Sequence, residues 1–121
     1  MIRVVFNQKG GVGKSSITCN LAAVSASLGN RTLVVDLDVQ GNSSHYLGFD
    51  DQEWCDTTVA HYLSQKSGFF KGARKPINYV HDTPFENLYV MPASPELAHI
   101  EKDLESRYKI YKLRDALRDL E

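Results

Sequence analysis

The stretch Lys9-Gly10-Gly11-Val12-Gly13-Lys14-Ser15-Ser16 decides the fold of this chain. It lies between an apolar run at residues 2–7, which predicts a buried strand, and residues 14–28, which predict a helix. The three glycines allow positive φ angles and a close approach of the backbone to a ligand. Successive N–H groups can then form an anion cradle, to which the helix N-terminus adds its dipole. This arrangement predicts a phosphate-binding P-loop.

The loop supplies the residues that we expect to contact a nucleotide: Lys9, Gly10, Gly11, Val12, Gly13, Lys14, Ser15 and Ser16. Lys14 offers a mobile positive charge for the β and γ phosphates, and the Ser15 hydroxyl is placed to ligate Mg²⁺. The common pattern requires glycine at position 8, but this chain has Gln8 there and a second lysine, Lys9, after it. From the residues alone, Lys9 is either a solvated surface lysine or a second phosphate ligand.

A second cluster of polar residues follows the next strand. The apolar residues 32–35 predict a buried strand, which completes a right-handed βαβ unit with the first strand and the helix. Because ligands bind at the carboxyl ends of such strands, Asp36 and Asp38 should lie beside the P-loop. Two carboxylates in that position can orient Mg²⁺ through water or position an attacking water molecule. The alternative interpretation is a polar turn.

The composition is that of an ordinary soluble globular segment. The chain has 121 residues, of which 42% are hydrophobic and 24% charged, and its net charge of −1 provides no global basic field for nucleic acid. Cys19 and Cys55 lie in no Cys-x-x-Cys pattern, and the four histidines have no metal-ligand spacing. A strand that begins at residue 2 leaves no room for a signal peptide. We therefore expect a cytoplasmic protein.

The first helix carries one apolar stripe at helical spacing, formed by Ile17, Leu21, Val24 and Leu28. Beyond residue 42 the pattern predicts a short helix at 43–47, a helix over 58–64 with Asp56-Thr57 as its N-cap, strands at 77–80 and 88–91, and an amphipathic helix from residue 107.

We expect inward-facing side chains on the helices after residue 57, namely Val59, Tyr62, Leu63, Ile110, Leu113, Leu117 and Leu120. The basic segment 65–76 is interpreted as a solvated connection, and a contact with DNA or a partner there is the alternative.

Two motifs resemble those of a known family. Lys-Gly-Gly-Val-Gly-Lys-Ser-Ser resembles the deviant Walker A motif of the ParA/MinD group of P-loop ATPases. Residues 36–42 are similar to the motif Asp-x-Asp-Pro-Gln-x-Asn of the ParA, or Soj-like, branch, with Val39 where proline is usual. The resemblance implies that Lys9 reaches the nucleotide of the partner subunit in an ATP-sandwich dimer. It also implies that Asp38 supports hydrolysis and that Asp36 lies near the metal.

The same resemblance implies a fold and a function. The fold is an α/β P-loop NTPase with a mostly parallel sheet flanked by helices. The function is ATP and Mg²⁺ binding with slow hydrolysis, coupled to homodimerisation, in plasmid or chromosome partitioning. Non-specific DNA and a ParB-like stimulating protein would be the partners. The alternatives are a MinD-like or a conjugation or flagellar-placement ATPase, a metallocluster reductase or pump ATPase, and a nucleotide-gated binding module without turnover.

We expect residues 1–121 to be the N-terminal portion of a single P-loop ATPase domain. Such an ATPase needs a further metal-associated carboxylate at the end of a buried strand, the Walker B element. No apolar run that ends in aspartate follows Asp38, since the later strands end in His81-Asp82 and Met91-Pro92. In ParA relatives that strand comes just after a helix that resembles residues 107–120. The sheet would then lack an interior strand beside the first strand.

Overall fold

The computed structural model describes residues 1–3, 5, 13–38, 40–48, 57–64, 75–98 and 107–121. The described elements follow one another in this order: α1 (Lys14–Ser27), β1 (Thr32–Val35), α2 (Asn42–Tyr46), α3 (Val59–Ser64), a 3-10 helix (Pro76–Tyr79), β2 (His81–Asp82), β3 (Leu88–Met91) and α4 (Arg107–Asp119).

The described strands form one three-stranded sheet in the order β1-β3-β2. β1 pairs with β3 in parallel, with Thr32 opposite Leu88 and Val35 opposite Met91. The pairing continues past the end of β1, where the N–H of Asp36 donates to the carbonyl of Met91 at 3.1 Å. β2 is a two-residue antiparallel strand at the edge beside β3. The parallel pairing of β1 with β3 therefore places Asp36 at the carboxyl end of β1.

Helices cover both faces of this sheet, so the predicted α/β fold is confirmed. On one face, α1 packs with the sheet in a cluster made of Ala22, Ala26, Val34, Leu47, Leu88 and Val90. On the other face, α3, the 3-10 helix and α4 enclose a second cluster, made of Val59, Ala60, Tyr62, Leu63, Tyr79, Met91, Ala93, Leu97 and Ala116. Alternate residues of β1 face opposite sides of the sheet. Leu33 and Val35 contact the second cluster, and Val34 belongs to the first.

Most helices lie where the pattern predicts them. α1, α2, α3 and α4 match the predictions to within one or two residues, and Val59, Tyr62 and Leu63 are buried as expected. In α4, Leu113 and Leu120 pack against the second cluster and Leu117 is half-buried, whereas the side chain of Ile110 lies outside the description.

Two local predictions after residue 57 are wrong. The predicted strand at 77–80 is a 3-10 helix, because Pro76 at its first turn has a helical φ. The short strand follows at His81–Asp82 instead. α3 begins at Val59, so its N-cap position is Thr58, whose hydroxyl lies 3.4 Å from the N of His61, one residue after the predicted Asp56-Thr57; Asp56 lies outside the described residues.

The large apolar residues of α1 point away from the core. Ile17, Leu21, Val24 and Leu28 are 52, 52, 57 and 75% exposed, and we call these four residues the outer face of α1. The opposite face carries small residues, Ala22 and Ala26, that let the helix approach the sheet closely. α1 thus has two apolar faces. The periodicity of the sequence predicts only the outer face, which the described sheet does not cover.

The described residues within the predicted first strand, at 2–7, do not form a strand. Ile2, Arg3 and Val5 are outside any strand and Ile2 is exposed, while residues 4, 6 and 7 are not described. The three-stranded sheet formed by the described strands does not include these three residues. None of the helices in the described ranges is long and apolar enough to cross a membrane.

Candidate phosphate-binding site

The N-terminus of α1 begins after a glycine. Gly13 precedes the helix in the left-handed conformation, with φ 85° and ψ 13°, and as a glycine it offers no side-chain cap. Among the described residues, nothing lies within 4 Å of the position that a Cβ at Gly13 would take, so the glycine is required by its φ angle and not by a lack of room. The first-turn N–H groups of a helix have no helical acceptor and favour a bound anion. Residues 9–12 lie outside the described residues.

Lys14, the first residue of α1, contacts the second motif. Its Nζ lies 3.3 Å from Oδ2 of Asp38, with about a third of each side chain exposed, 30% and 31%. Ser15 and Ser16 follow in the first turn, the former half-buried and the latter exposed. The structure therefore brings one residue of each motif, Lys14 and Asp38, into direct contact at the carboxyl end of β1.

The backbone after Asp38 forms a closed turn. The carbonyl of Asp38 accepts the N–H of Gly41 at 3.0 Å, and its Oδ1 accepts the N–H of Gln40 at 3.0 Å. Gly41 is buried and has a φ of 67°, which glycine adopts without strain. These hydrogen bonds form although this chain has valine at position 39, where the family motif usually has proline.

Asp36 is buried among hydrogen-bond donors. Asp36 is 5% exposed, and both of its carboxylate oxygens accept hydrogen bonds. Oδ1 accepts the N–H of Asp38 at 3.1 Å, and Oδ2 accepts the N–H of Ser44 at 2.9 Å and the Ser44 hydroxyl at 2.7 Å. Bonds from neutral donors to a carboxylate are stronger than neutral pairs, so they stabilise a buried negative charge here. A metal ion bound directly to Asp36 would compete with these three donors.

Ser44 connects Asp36 to a distant segment. Its hydroxyl accepts the N–H of Ala93 at 2.9 Å, just after the end of β3. The neighbouring carbonyl of Pro92 accepts the N–H of Val59 at the start of α3. Sequence reasoning missed Ser44, because a serine eight residues after Asp36 gives no signal of contact with it. The partner Ala93 contributes only its backbone, which no residue pattern reveals.

Cys19 lies on α1 close to the same buried group. Its thiol is 3.9 Å from the carbonyl of Ser43. Burial raises the pKa of the Cys19 thiol above its ordinary value; the hydrogen bond with Ser43 lowers this pKa in part, and the negative charge of Asp36 raises it. The thiol therefore stays protonated and behaves as a small packing residue.

Two of the described histidines, His61 and His81, join elements of the fold. His61 bridges Thr58 at 2.6 Å and Glu96 at 3.1 Å, which ties α3 to the segment after β3. His81 Nε2 lies 2.9 Å from the carbonyl of Thr57. Within the described ranges, no group of three or more His, Cys, Asp or Glu side chains could hold a metal ion. These contacts indicate a structural role for both histidines.

Comparison with known proteins gives matches along nearly the whole chain. A family model described as an AAA domain matches residues 1–121. The chromosome partitioning protein ParA of Myxococcus xanthus is 39% identical over 118 residues, which are 96% of this chain and 38% of that protein. The sporulation initiation inhibitor protein Soj of Bacillus subtilis is 39% identical over 105 residues, which are 85% of this chain and 38% of that protein.

A solved structure extends the likeness to three dimensions. The cobyrinic acid a,c-diamide synthase of Mycobacterium smegmatis, with bound ATP analog and magnesium, superimposes with a TM-score of 0.78 at 32% identity. The match covers 96% of this chain and 44% of that protein. This chain therefore spans about two-fifths of the length of the proteins that it matches.

Proposed function

This chain belongs to the AAA domain family, as a P-loop ATPase of the ParA/MinD type from the partitioning branch, and from that premise we propose that it forms the ATP-binding part of a slowly hydrolysing dimerisation switch. The protein that contains it would act in plasmid or chromosome partitioning in the cytoplasm. Its partners would be a second copy of itself, non-specific DNA and a ParB-like protein that stimulates hydrolysis. The names of the similar proteins support this role.

The contact between Lys14 and Asp38 is the observation that carries the proposal. An ion pair with about a third of each side chain exposed stabilises a protein by only about 0–1 kcal/mol. A phosphate oxygen forms stronger, charge-assisted hydrogen bonds with an ammonium group. The ion pair with Asp38 is therefore weak enough for Lys14 to exchange it for a triphosphate, which leaves the Asp38 carboxylate available at the site.

The residues beside this contact fit a magnesium nucleotide. Gly13 leads into α1 with a positive φ, and the first-turn N–H groups of α1 suit a phosphate. We assign nucleotide binding to residues 9–16 and metal binding to the Ser15 hydroxyl, with Asp36 near the metal. Hydroxyl and carboxylate oxygens are the ligand types that Mg²⁺ prefers. Mg²⁺, when bound, neutralises negative charge on the phosphate oxygens.

Two further residues complete the proposed mechanism. Asp38 positions the attacking water, a role that the family motif implies; the contact of its carboxylate with Lys14 and the turn that ends at Gly41 support this role. Lys9 reaches the nucleotide of the partner subunit and couples dimerisation to triphosphate binding. The role of Lys9 rests on the family motif.

We also propose that residues 1–121 are the N-terminal portion of a single ATPase domain. A helix that is apolar on two sides is normally buried on both. α1 contacts the sheet through Ala22 and Ala26 and exposes the large side chains of its outer face. Further chain that covers this face, and that supplies a strand beside residues 2–7, would complete the domain and bring the Walker B aspartate.

A steady-state ATPase assay of the whole protein, with and without DNA, tests the proposed function. We expect slow, Mg²⁺-dependent hydrolysis that DNA and the partner protein modulate. ATP binding without any turnover under all of these conditions would instead identify a nucleotide-gated binding module.

A further inference from the structure

We propose that Ser44 is a positioning residue for ATP hydrolysis, and that its hydroxyl fixes the turn that presents Asp38. The inference rests on the proposed function of Asp38. It starts from a buried hydrogen-bond chain that runs from the backbone of Ala93 through Ser44 to Asp36 and then to the backbone of Asp38.

The Ser44 hydroxyl uses both of its hydrogen-bonding capacities in this chain. It donates to Oδ2 of Asp36 at 2.7 Å and accepts the N–H of Ala93 at 2.9 Å. Ser44 is 1% exposed and Ala93 is fully buried. Because water cannot easily replace a partner at such a position, loss of the hydroxyl leaves a buried N–H without its acceptor. Ser44 therefore supplies two of the three hydrogen bonds that hold the Asp36 carboxylate, one from its N–H and one from its hydroxyl.

The orientation of Asp36 determines where the Asp38 turn begins. Oδ1 of Asp36 accepts the N–H of Asp38 at 3.1 Å, while Oδ2 is held by the two donors of Ser44. A carboxylate that loses one of the donors on Oδ2 can rotate, and its other oxygen then moves away from the N–H of Asp38. Placing a water molecule for attack requires that a carboxylate stay within a fraction of an ångström of its position. Ser44 thus acts on catalysis through Asp36 and Asp38.

Two substitutions that are isosteric with each other separate the effect of the Ser44 hydroxyl from the effect of side-chain volume. Ser44→Thr keeps the hydroxyl and Ser44→Val replaces it by a methyl group, while both add the same bulk. Ser43→Ala is the matched control, since Ser43 is a buried neighbour in α2 whose hydroxyl is not a donor to Asp36. All variants are made in the whole protein. Amide hydrogen exchange at Asp38 is measured by NMR without nucleotide, and ATP affinity and kcat are measured separately.

We expect Ser44→Val to lower the protection of the Asp38 amide and the kcat by about tenfold or more, with ATP affinity changed by less than about threefold. Ser44→Thr and Ser43→Ala should keep all three quantities near the values of the unsubstituted protein. Equal amide protection and equal kcat in the Thr and Val variants would overturn the proposal.

If Ser44→Val does not fold, Ser44→Ala replaces it in the comparison with Ser43→Ala, and equal Asp38 protection in those two variants overturns the proposal. If the unsubstituted protein neither binds nor hydrolyses ATP, the proposed function fails. The exchange measurement at Asp38 then still decides whether Ser44 fixes the turn.

Discussion

Leu21→Ala in the whole protein tests whether further chain covers the outer face of α1. Within residues 1–121, Leu21 is 52% exposed, so about half of its side chain already contacts water. Full burial of a leucine side chain contributes about 1.5–3 kcal/mol, so truncation at a half-exposed position should cost about 1 kcal/mol. At a covered position the cost rises to about 2–5 kcal/mol, because the lost contacts leave a cavity. We expect the larger value.

The assay is urea unfolding of the whole protein, from which the change in the free energy of unfolding is read at constant m-value. Leu63→Ala, at a fully buried position in α3, should cost about 2–5 kcal/mol and shows that the assay detects core truncation. Ile77→Ala, at a 59% exposed position, should cost about 1 kcal/mol or less. A cost for Leu21→Ala equal to that for Ile77→Ala would refute the reasoning. So would an intact natural protein of 13.6 kDa that unfolds cooperatively as a monomer.

Three substitutions test the nucleotide site, each in the whole protein. Lys14→Ala removes the cation next to the phosphates and should weaken ATP binding at least about tenfold, as measured by calorimetry; unchanged affinity would exclude the assigned pocket. Lys9→Ala should keep nucleotide binding but lose ATP-dependent dimerisation and hydrolysis, and normal dimers by light scattering would count against a sandwich dimer. Asp38→Ala removes a group that acts in the transition state, so it should bind ATP as well as or better than the unsubstituted protein and hardly turn over. A kcat near the unsubstituted value would remove Asp38 from the mechanism and make Asp36 the better candidate.

The elements that local pattern determines were predicted well. Thr32–Val35 and Leu88–Met91 are short apolar runs bounded by polar or breaking residues, and their limits agree with the structure. The start of α1 at Lys14 was predictable from the preceding Gly13, because a glycine can adopt the left-handed conformation found just before the helix. The contact between Lys14 and Asp38 follows from topology, because a helix N-terminus and a strand end meet at one edge of the sheet.

The features that depend on tertiary packing were not predictable. Periodicity identified an apolar side of α1, but it could not show that Ala22 and Ala26 on the other side form the close contact with the sheet. Pattern also assigned a strand at 77–80, although Pro76 starts a 3-10 helix there and buries Tyr79 against Tyr62. The link from Ser44 to Ala93 is a side chain bonded to a backbone group 49 positions away, and such bonds leave no trace in residue type.

The parallel pairing of β1 with β3 has a consequence for the synthesis of the chain. Thr32 lies opposite Leu88, so the partner of β1 is made on the order of 50 residues later. Ribosomes add about 5–20 residues per second, and β1 therefore waits about 3–10 s without its partner. Throughout that time its apolar residues and unpaired backbone groups are available to chaperones or to other nascent chains. The large side chains on the outer face of α1 emerge earlier still, so they and β1 are exposed to aggregation together while translation continues.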